Sequence, residues 1–172
     1  MPAKTRDVRF ELRVRAKPDQ VYRALTSARE LCRWWLLGAE TDARSVGRVR
    51  MVWPRPARGE DVFPRNLGEL EGSFVDLEPG RKVAWLWKVS ARLKNRRVPL
   101  LTSVFITPKA RSCEVTLVHS GFLAAPSSDS TYLAFSRGWG DALAKLKLYL
   151  ETGGTCKADT LAFPTPPKPR HS

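Results

Sequence analysis

The sequence has few of the residues that build staples and metal centres. Cysteine occurs three times, at Cys32, Cys113 and Cys156. An odd, scattered set excludes a disulfide framework and lacks the paired spacing of a zinc site. Histidine occurs only at His119 and His171, so no four-ligand metal site is expected, and nothing calls for a cofactor. No apolar run approaches the ~20 residues that a membrane helix needs. The N-terminal stretch MPAKTRDVRFELRV lacks the continuous apolar region of a secretory signal, so a cytoplasmic protein is the expectation. Acidic residues are scarce. Asp and Glu number 17 against 30 Lys and Arg, a formal net charge of +13. That balance fits a solvated surface, or an anionic partner such as nucleic acid or a lipid head group.

What is present reads as an ordinary globular chain. Hydrophobic residues make up 42% of 172 positions, enough for one domain to bury a sizeable core. One stretch organises the rest, Ser127 to Glu151. Tyr132, Phe135, Trp139, Leu143, Leu146 and Leu150 recur there at three- and four-residue spacing, the stripe of a long amphipathic helix. Gly153 and Gly154 end it.

Upstream, the pattern is mostly period two. Val8, Phe10, Leu12 and Val14 share one face of a first strand. Pro18 opens a short helix carrying Val21, Ala24 and Leu25. Ser27 to Glu30 matches a capping box, which starts a second short helix with Leu31, Trp34 and Trp35. Adjacent tryptophans cannot share a helix face, so one is expected in the core and the other over a cavity or near the surface. Val49, Met51 and Trp53 then face inward on a strand. Pro54 to Asn66 reads as a proline- and arginine-rich loop. The next strand spans Asn66 to Glu78, with Gly68, Leu70, Gly72 and Phe74 on one face. Val83, Trp85, Trp87, Val89 and Ala91 make the richest apolar face, and a basic turn follows at Lys94 to Arg97. The facing of Val98 to Thr107 is ambiguous from pattern alone. Cys113, Val115, Leu117 and His119 share a face of the last strand. Residues 1–154 thus form one α+β domain, a curved antiparallel sheet of six to seven strands closed by the C-terminal helix. The proline-rich basic tail, 155–172, is expected to be loosely ordered.

At this point the chain resembles a known family. Pro18-Asp19-Gln20-Val21-Tyr22-Arg23-Ala24-Leu25-Thr26, Trp34-Trp35, Asp42 to Gly47, Gly68-Glu69 with Pro79, Trp85-Leu86-Trp87, Val115 to Phe122 and Gly138 to Glu151 are similar to the helix-grip superfamily. That superfamily is also called START-like or SRPBCC. Within it the chain resembles the AHSA-like branch, named for homology to a domain of a heat-shock-chaperone ATPase activator. Val46 stands where the family usually has the first glycine of a pair, and the tail lies outside the family pattern. The resemblance implies a cavity between sheet and long helix that holds lipids, polyketides or other hydrophobic molecules. It brings no shared catalytic set. A chaperone partner is a weaker implication, since the activator carries a further N-terminal domain for which 172 residues leave no room.

The candidate cavity lining is Trp35, Trp53, Phe74, Trp85, Trp87, Phe105, Leu117, His119, Phe135, Trp139 and Leu143. His119 has two readings, a ligand-binding or acid–base group, or a strand-end histidine satisfied by the backbone. Gly138 and Gly140 within the long helix mark close approach, either of a ligand or of packed chain. Asp141 and Lys145 have the i,i+4 spacing of a surface pair worth a few tenths of a kcal/mol. The leading expectation is a carrier or sensor of a small hydrophobic or amphipathic ligand. The alternative is a cyclase-, aromatase- or hydrolase-type enzyme using the same cavity. A third reading is an anion-binding module using the basic runs Arg44 to Arg58 and Lys88 to Arg97. Nucleic acid ranks low there, because the aromatics fall on inward-facing positions. The ligand's identity and the oligomeric state are not encoded legibly.

Overall fold

The computed structural model describes residues 2–55, 61–88 and 98–163. Strand β1 (Thr5–Val14) buries Val8, Phe10, Leu12 and Val14 on one face, as its alternation requires. Helix α1 (Pro18–Thr26) follows, with the Gln20 side chain accepting from the Lys17 amide at 2.9 Å. Helix α2 (Ala28–Trp34) is capped by Ser27, whose hydroxyl accepts from the Glu30 amide at 3.3 Å. The Glu30 carboxylate does not turn back to complete the box. It takes the Tyr149 hydroxyl instead.

Six more strands complete the sheet: β2 (Gly38–Thr41), β3 (Arg48–Val52), β4 (Glu69–Glu78), β5 (Lys82–Trp87), β6 (Leu101–Pro108) and β7 (Cys113–Leu123). The seven strands run in the order β1-β7-β6-β5-β4-β3-β2, every neighbouring pair antiparallel. The first strand therefore closes on the last. Helix α3 (Asp129–Thr152) is 24 residues long, about 36 Å at 1.5 Å per residue. It starts after a 3-10 turn at Pro126–Ser128 rather than at Ser127. It stops at Gly153, whose φ of 74° is the left-handed value that glycine adopts freely. The whole is the α+β helix-grip fold, a curved antiparallel sheet closed by a long C-terminal helix.

Three expectations change. β4 begins at Glu69, not Asn66, because Arg65–Leu67 forms a 3-10 turn. Trp34 and Trp35 are both buried, their rings stacked at 5.2 Å. The helix ends at Trp34, and Trp35 leaves the helical conformation at φ −129°, ψ −46°, which turns its ring back onto its neighbour. Phe105 does not face the interior. Thr102, Val104 and Ile106 take the inward positions of β6, so Phe105 is 40% exposed and lies under the Lys82 ammonium. Val89, Ala91 and the basic turn Lys94–Arg97 lie outside the described residues.

The largest difference concerns α3. Every residue from Gly138 to Leu146 is buried, not only one stripe. The helix lies between two layers. The sheet covers one side. The other is covered by the chain at 61–67 and by residues 155–163, which are hydrogen-bonded there; the rest of the tail, 164–172, lies outside the described residues.

Candidate functional site

The interior between sheet and α3 is an aromatic network. Trp35 meets Trp53 edge-on at 5.3 Å and Trp139 at 5.9 Å. His119 meets Phe122 at 5.0 Å and Phe135 at 5.1 Å, and Phe63 stacks on Phe135 at 5.1 Å. Trp85 stacks on Trp87 at 5.7 Å. Such contacts each add about 0.5–1.5 kcal/mol beyond the area they bury. Trp35, Trp53, Phe74, Trp85, Trp87, Leu117, His119, Phe135, Trp139 and Leu143 are all buried here. They are brought together as a core, with the rings largely filling space for one another.

His119 has both ring nitrogens engaged. Its Nδ1 accepts from the Trp139 indole at 2.9 Å, and its Nε2 lies 2.7 Å from the Pro99 carbonyl. The geometry fixes the tautomer: Nδ1 bare, Nε2 carrying the proton that it donates to Pro99. A second proton would have to displace the Trp139 bond. Burial, which penalises the charged form, lowers its pKa to about 4, against the smaller raising effect of the Pro99 bond and the Asp7 charge. The imidazole is therefore a neutral structural link between β7, α3 and the chain before β6. No such position suits an acid–base catalyst at neutral pH.

Two indoles differ from the rest. The Trp34 indole donates to the Ala24 carbonyl at 2.9 Å, and that of Trp87 to the Thr102 hydroxyl at 3.0 Å. Among the described residues, the Nε1 atoms of Trp53 and Trp85 are buried with no hydrogen-bond partner. An unsatisfied buried donor costs on the order of 1–3 kcal/mol.

Sequence reasoning missed a second cluster. Asp141 and Lys145 are not a surface pair: both side chains are 1% exposed, with Nζ 2.9 Å from Oδ2. Arg65, equally buried, lies 3.7 Å from the same oxygen. The tail adds further partners. Arg65 donates to the carbonyls of Ala158 and Asp159 and to the Thr160 hydroxyl. Lys145 donates to the Lys157 carbonyl at 3.3 Å, and the Leu161 amide donates to Asp141 at 2.7 Å. Lys157 reaches back to the Cys32 and Leu36 carbonyls at 2.9 and 3.2 Å. Burial first, and the Arg65 charge after it, lower the Lys145 pKa against the raising effect of Asp141. The signal for this layer was the run of small residues at Gly138, Gly140, Ala142 and Ala144. A Cβ on Gly138 would lie 1.4 Å from the Phe63 carbonyl oxygen, so packed chain, not a ligand, occupies that approach.

Where the tail reaches β1 it leaves a cleft of about 530 Å³. Phe10 forms its floor, Ser136, Arg137 and Gly140 of α3 one side, and Thr160 to Phe163 the other. Phe163 packs on Phe10 at 4.8 Å between ring centroids. None of the residues expected to line a cavity lines this one. A smaller depression of about 360 Å³ between the short helices and the end of α3 has polar walls from Gln20, Arg23, Glu30 and Tyr149.

The arginine-rich segment after β2 is partly neutralised. Arg44 pairs with Asp42, Arg48 with Glu71, and Arg50 with Glu69. Among the described residues no group of acids, cysteines and histidines could hold a metal ion. No described helix is long and apolar enough to cross a membrane.

Fold and interior together define a helix-grip protein. The chain belongs to the family of Activator of Hsp90 ATPase homolog 1-like proteins, whose model matches residues 15–151. Solved structures share the fold. The protein SSP2350 from Staphylococcus saprophyticus superposes with a TM-score of 0.66 at 15% identity, over 90% of this chain and 98% of that one. The Aha1 dimer from Colwellia psychrerythraea gives 0.62 at 19%, over 86% and 98%. DynU16, a protein of the dynemicin biosynthetic locus, gives 0.62 at 22%, over 89% of this chain and 50% of that one. No curated protein matches the sequence.

Proposed function

We propose that the protein binds a small hydrophobic or amphipathic molecule, as a carrier or sensor, in the cleft between β1, α3 and the docked tail. The observation that carries this reading is the cleft itself. Its volume of about 530 Å³ falls in the range of small-molecule sites, which are concave, mostly apolar and furnished with few polar groups. Phe10, Gly140, Leu161, Ala162 and Phe163 supply the apolar walls. The relation to DynU16 is in keeping with a small-molecule role, and a relation to Aha1 keeps a chaperone partner as the weaker alternative. An enzyme using His119 is disfavoured because both nitrogens of that ring are engaged.

Native mass spectrometry of the purified protein, followed by denaturing extraction, tests the reading. A co-purified apolar molecule near one-to-one is the expected result. An empty protein that also shows no thermal shift with lipids, polyketides or aromatics would sink it, because any ligand of the native state raises the melting temperature by mass action.

A further inference from the structure

We propose that the cleft is selective for an acidic amphiphile, an apolar chain or ring bearing a carboxylate, and that Arg137 is the residue that reads the carboxylate. This rests on the ligand-binding reading above. Arg137 lies on α3 with its side chain exposed at the cleft, and it forms no ion pair with a described residue. Other arginines nearby are taken. Arg6 is bound to Asp129, and Arg9 to Glu11 at 2.9 Å. The acids of α3 are taken as well, Asp129 by Arg6, Asp141 by Lys145 and the Leu161 amide, and Glu151 by Lys147 and the Arg15 amide. No carboxylate of a described residue lines the cleft. Among the described residues, the Arg137 guanidinium thus stands unneutralised beside apolar walls.

That arrangement matches one ligand chemistry. A guanidinium presents two parallel donors that fit a carboxylate, and such charge-assisted pairs are roughly twice as strong as neutral ones. The apolar walls want a hydrocarbon body. A neutral amphiphile would satisfy the walls and leave the guanidinium without a partner, and a cationic one would be repelled. The formal net charge of +13 adds a long-range attraction for anions. Half of the lining comes from Thr160 to Phe163, beyond the family-matched span of residues 15–151. The selectivity therefore belongs to this chain's tail and its facing helix residues.

The experiment compares decanoate, decanol and decylammonium by calorimetric titration into the full chain, the Arg137→Gln variant and the Ala162→Trp variant. Both substitutions are at exposed positions, so folding is kept. Decanoate is expected to bind at least about tenfold tighter than decanol, equivalent to ~1.4 kcal/mol. Arg137→Gln should remove that margin and leave decanol unchanged, while Ala162→Trp, which fills the cleft from the tail side, should weaken both. Equal binding of decanoate and decanol, untouched by Arg137→Gln but weakened by Ala162→Trp, overturns the acid selectivity and leaves the ligand site standing. No binding of any of the three, or binding indifferent to Ala162→Trp, overturns the site as well.

Discussion

The imidazole of His119 is held neutral by what surrounds it, and that has a measurable consequence. Its folded pKa is lowered to about 4, whereas an unfolded histidine titrates near 6.5. Between those values the unfolded chain binds a proton that the folded chain refuses. The His119 contribution is complete above pH 6.5 and is lost as pH falls toward 4, by up to roughly 3 kcal/mol. Urea midpoints at pH 7, 5.5 and 4.5 should drop more steeply in the native protein than in His119→Gln, whose amide can still accept from Trp139 and donate to Pro99. Parallel drops in the two proteins would contradict this. Val46 is the other residue under local constraint. It is 79% exposed with φ at 64°, a left-handed conformation that a β-branched side chain resists. Nothing is gained by its side chain in exchange. Relief of about 1–2 kcal/mol minus a glycine entropy cost of about 0.5–1 kcal/mol leaves Val46→Gly stabilising by up to roughly 1.5 kcal/mol. Chemical denaturation reads this directly, and an unchanged or lower stability would refute it.

At the scale of elements, α3 shows how far periodicity carries. Phe135, Trp139, Leu143 and Leu146 are buried against the sheet side, as their spacing demands. Strand faces were legible for the same reason: side chains alternate, and Val49, Met51, Trp53, Val83, Trp85 and Trp87 point inward. What was not legible is what covers a helix from a distant segment. Asp141 and Lys145 have the same spacing whether they face water or Arg65, and only the tail's return decides between them. The facing of Phe105 failed similarly, because β6 is bordered by outward Leu101 as well as inward Val104 and Ile106, so hydrophobicity alone does not set its register. The buried cluster makes a strong prediction. Among the described residues Asp141 lies between the two cations Arg65 and Lys145, and removing one partner of a buried ion pair typically costs 3–5 kcal/mol. Asp141→Asn should therefore destabilise by about 3 kcal/mol and loosen the tail, so that limited trypsin digestion cuts after Lys157 far faster than in the native protein. A loss under ~1 kcal/mol with unchanged cleavage would mean that the tail's carbonyls alone satisfy the two cations.

Taken whole, the molecule has three layers: sheet, α3, and the tail with the chain at 61–67. The family match ends at residue 151, so it takes in the 61–67 part of the third layer and leaves the tail outside. The first two layers share the aromatic core, in which Trp35, Trp139, His119 and Phe135 pack without help from the tail. The third layer holds the cations Arg65 and Lys145 away from water and builds half of the cleft. Removing residues 155–172 separates these roles. Water would replace the tail carbonyls on Arg65 and Lys145, so the remaining ion pairs become solvated rather than orphaned, and the cost should be moderate. A loss of about 2 kcal/mol would lower the melting temperature by roughly 4–8 °C for a chain of this size. The truncated protein should keep its far-ultraviolet circular dichroism and its cooperative unfolding, yet fail to bind decanoate. Retention of binding would show that the tail does not build the ligand site. Loss of cooperative folding would instead make the tail part of the core, tying the cleft to the stability of the whole chain.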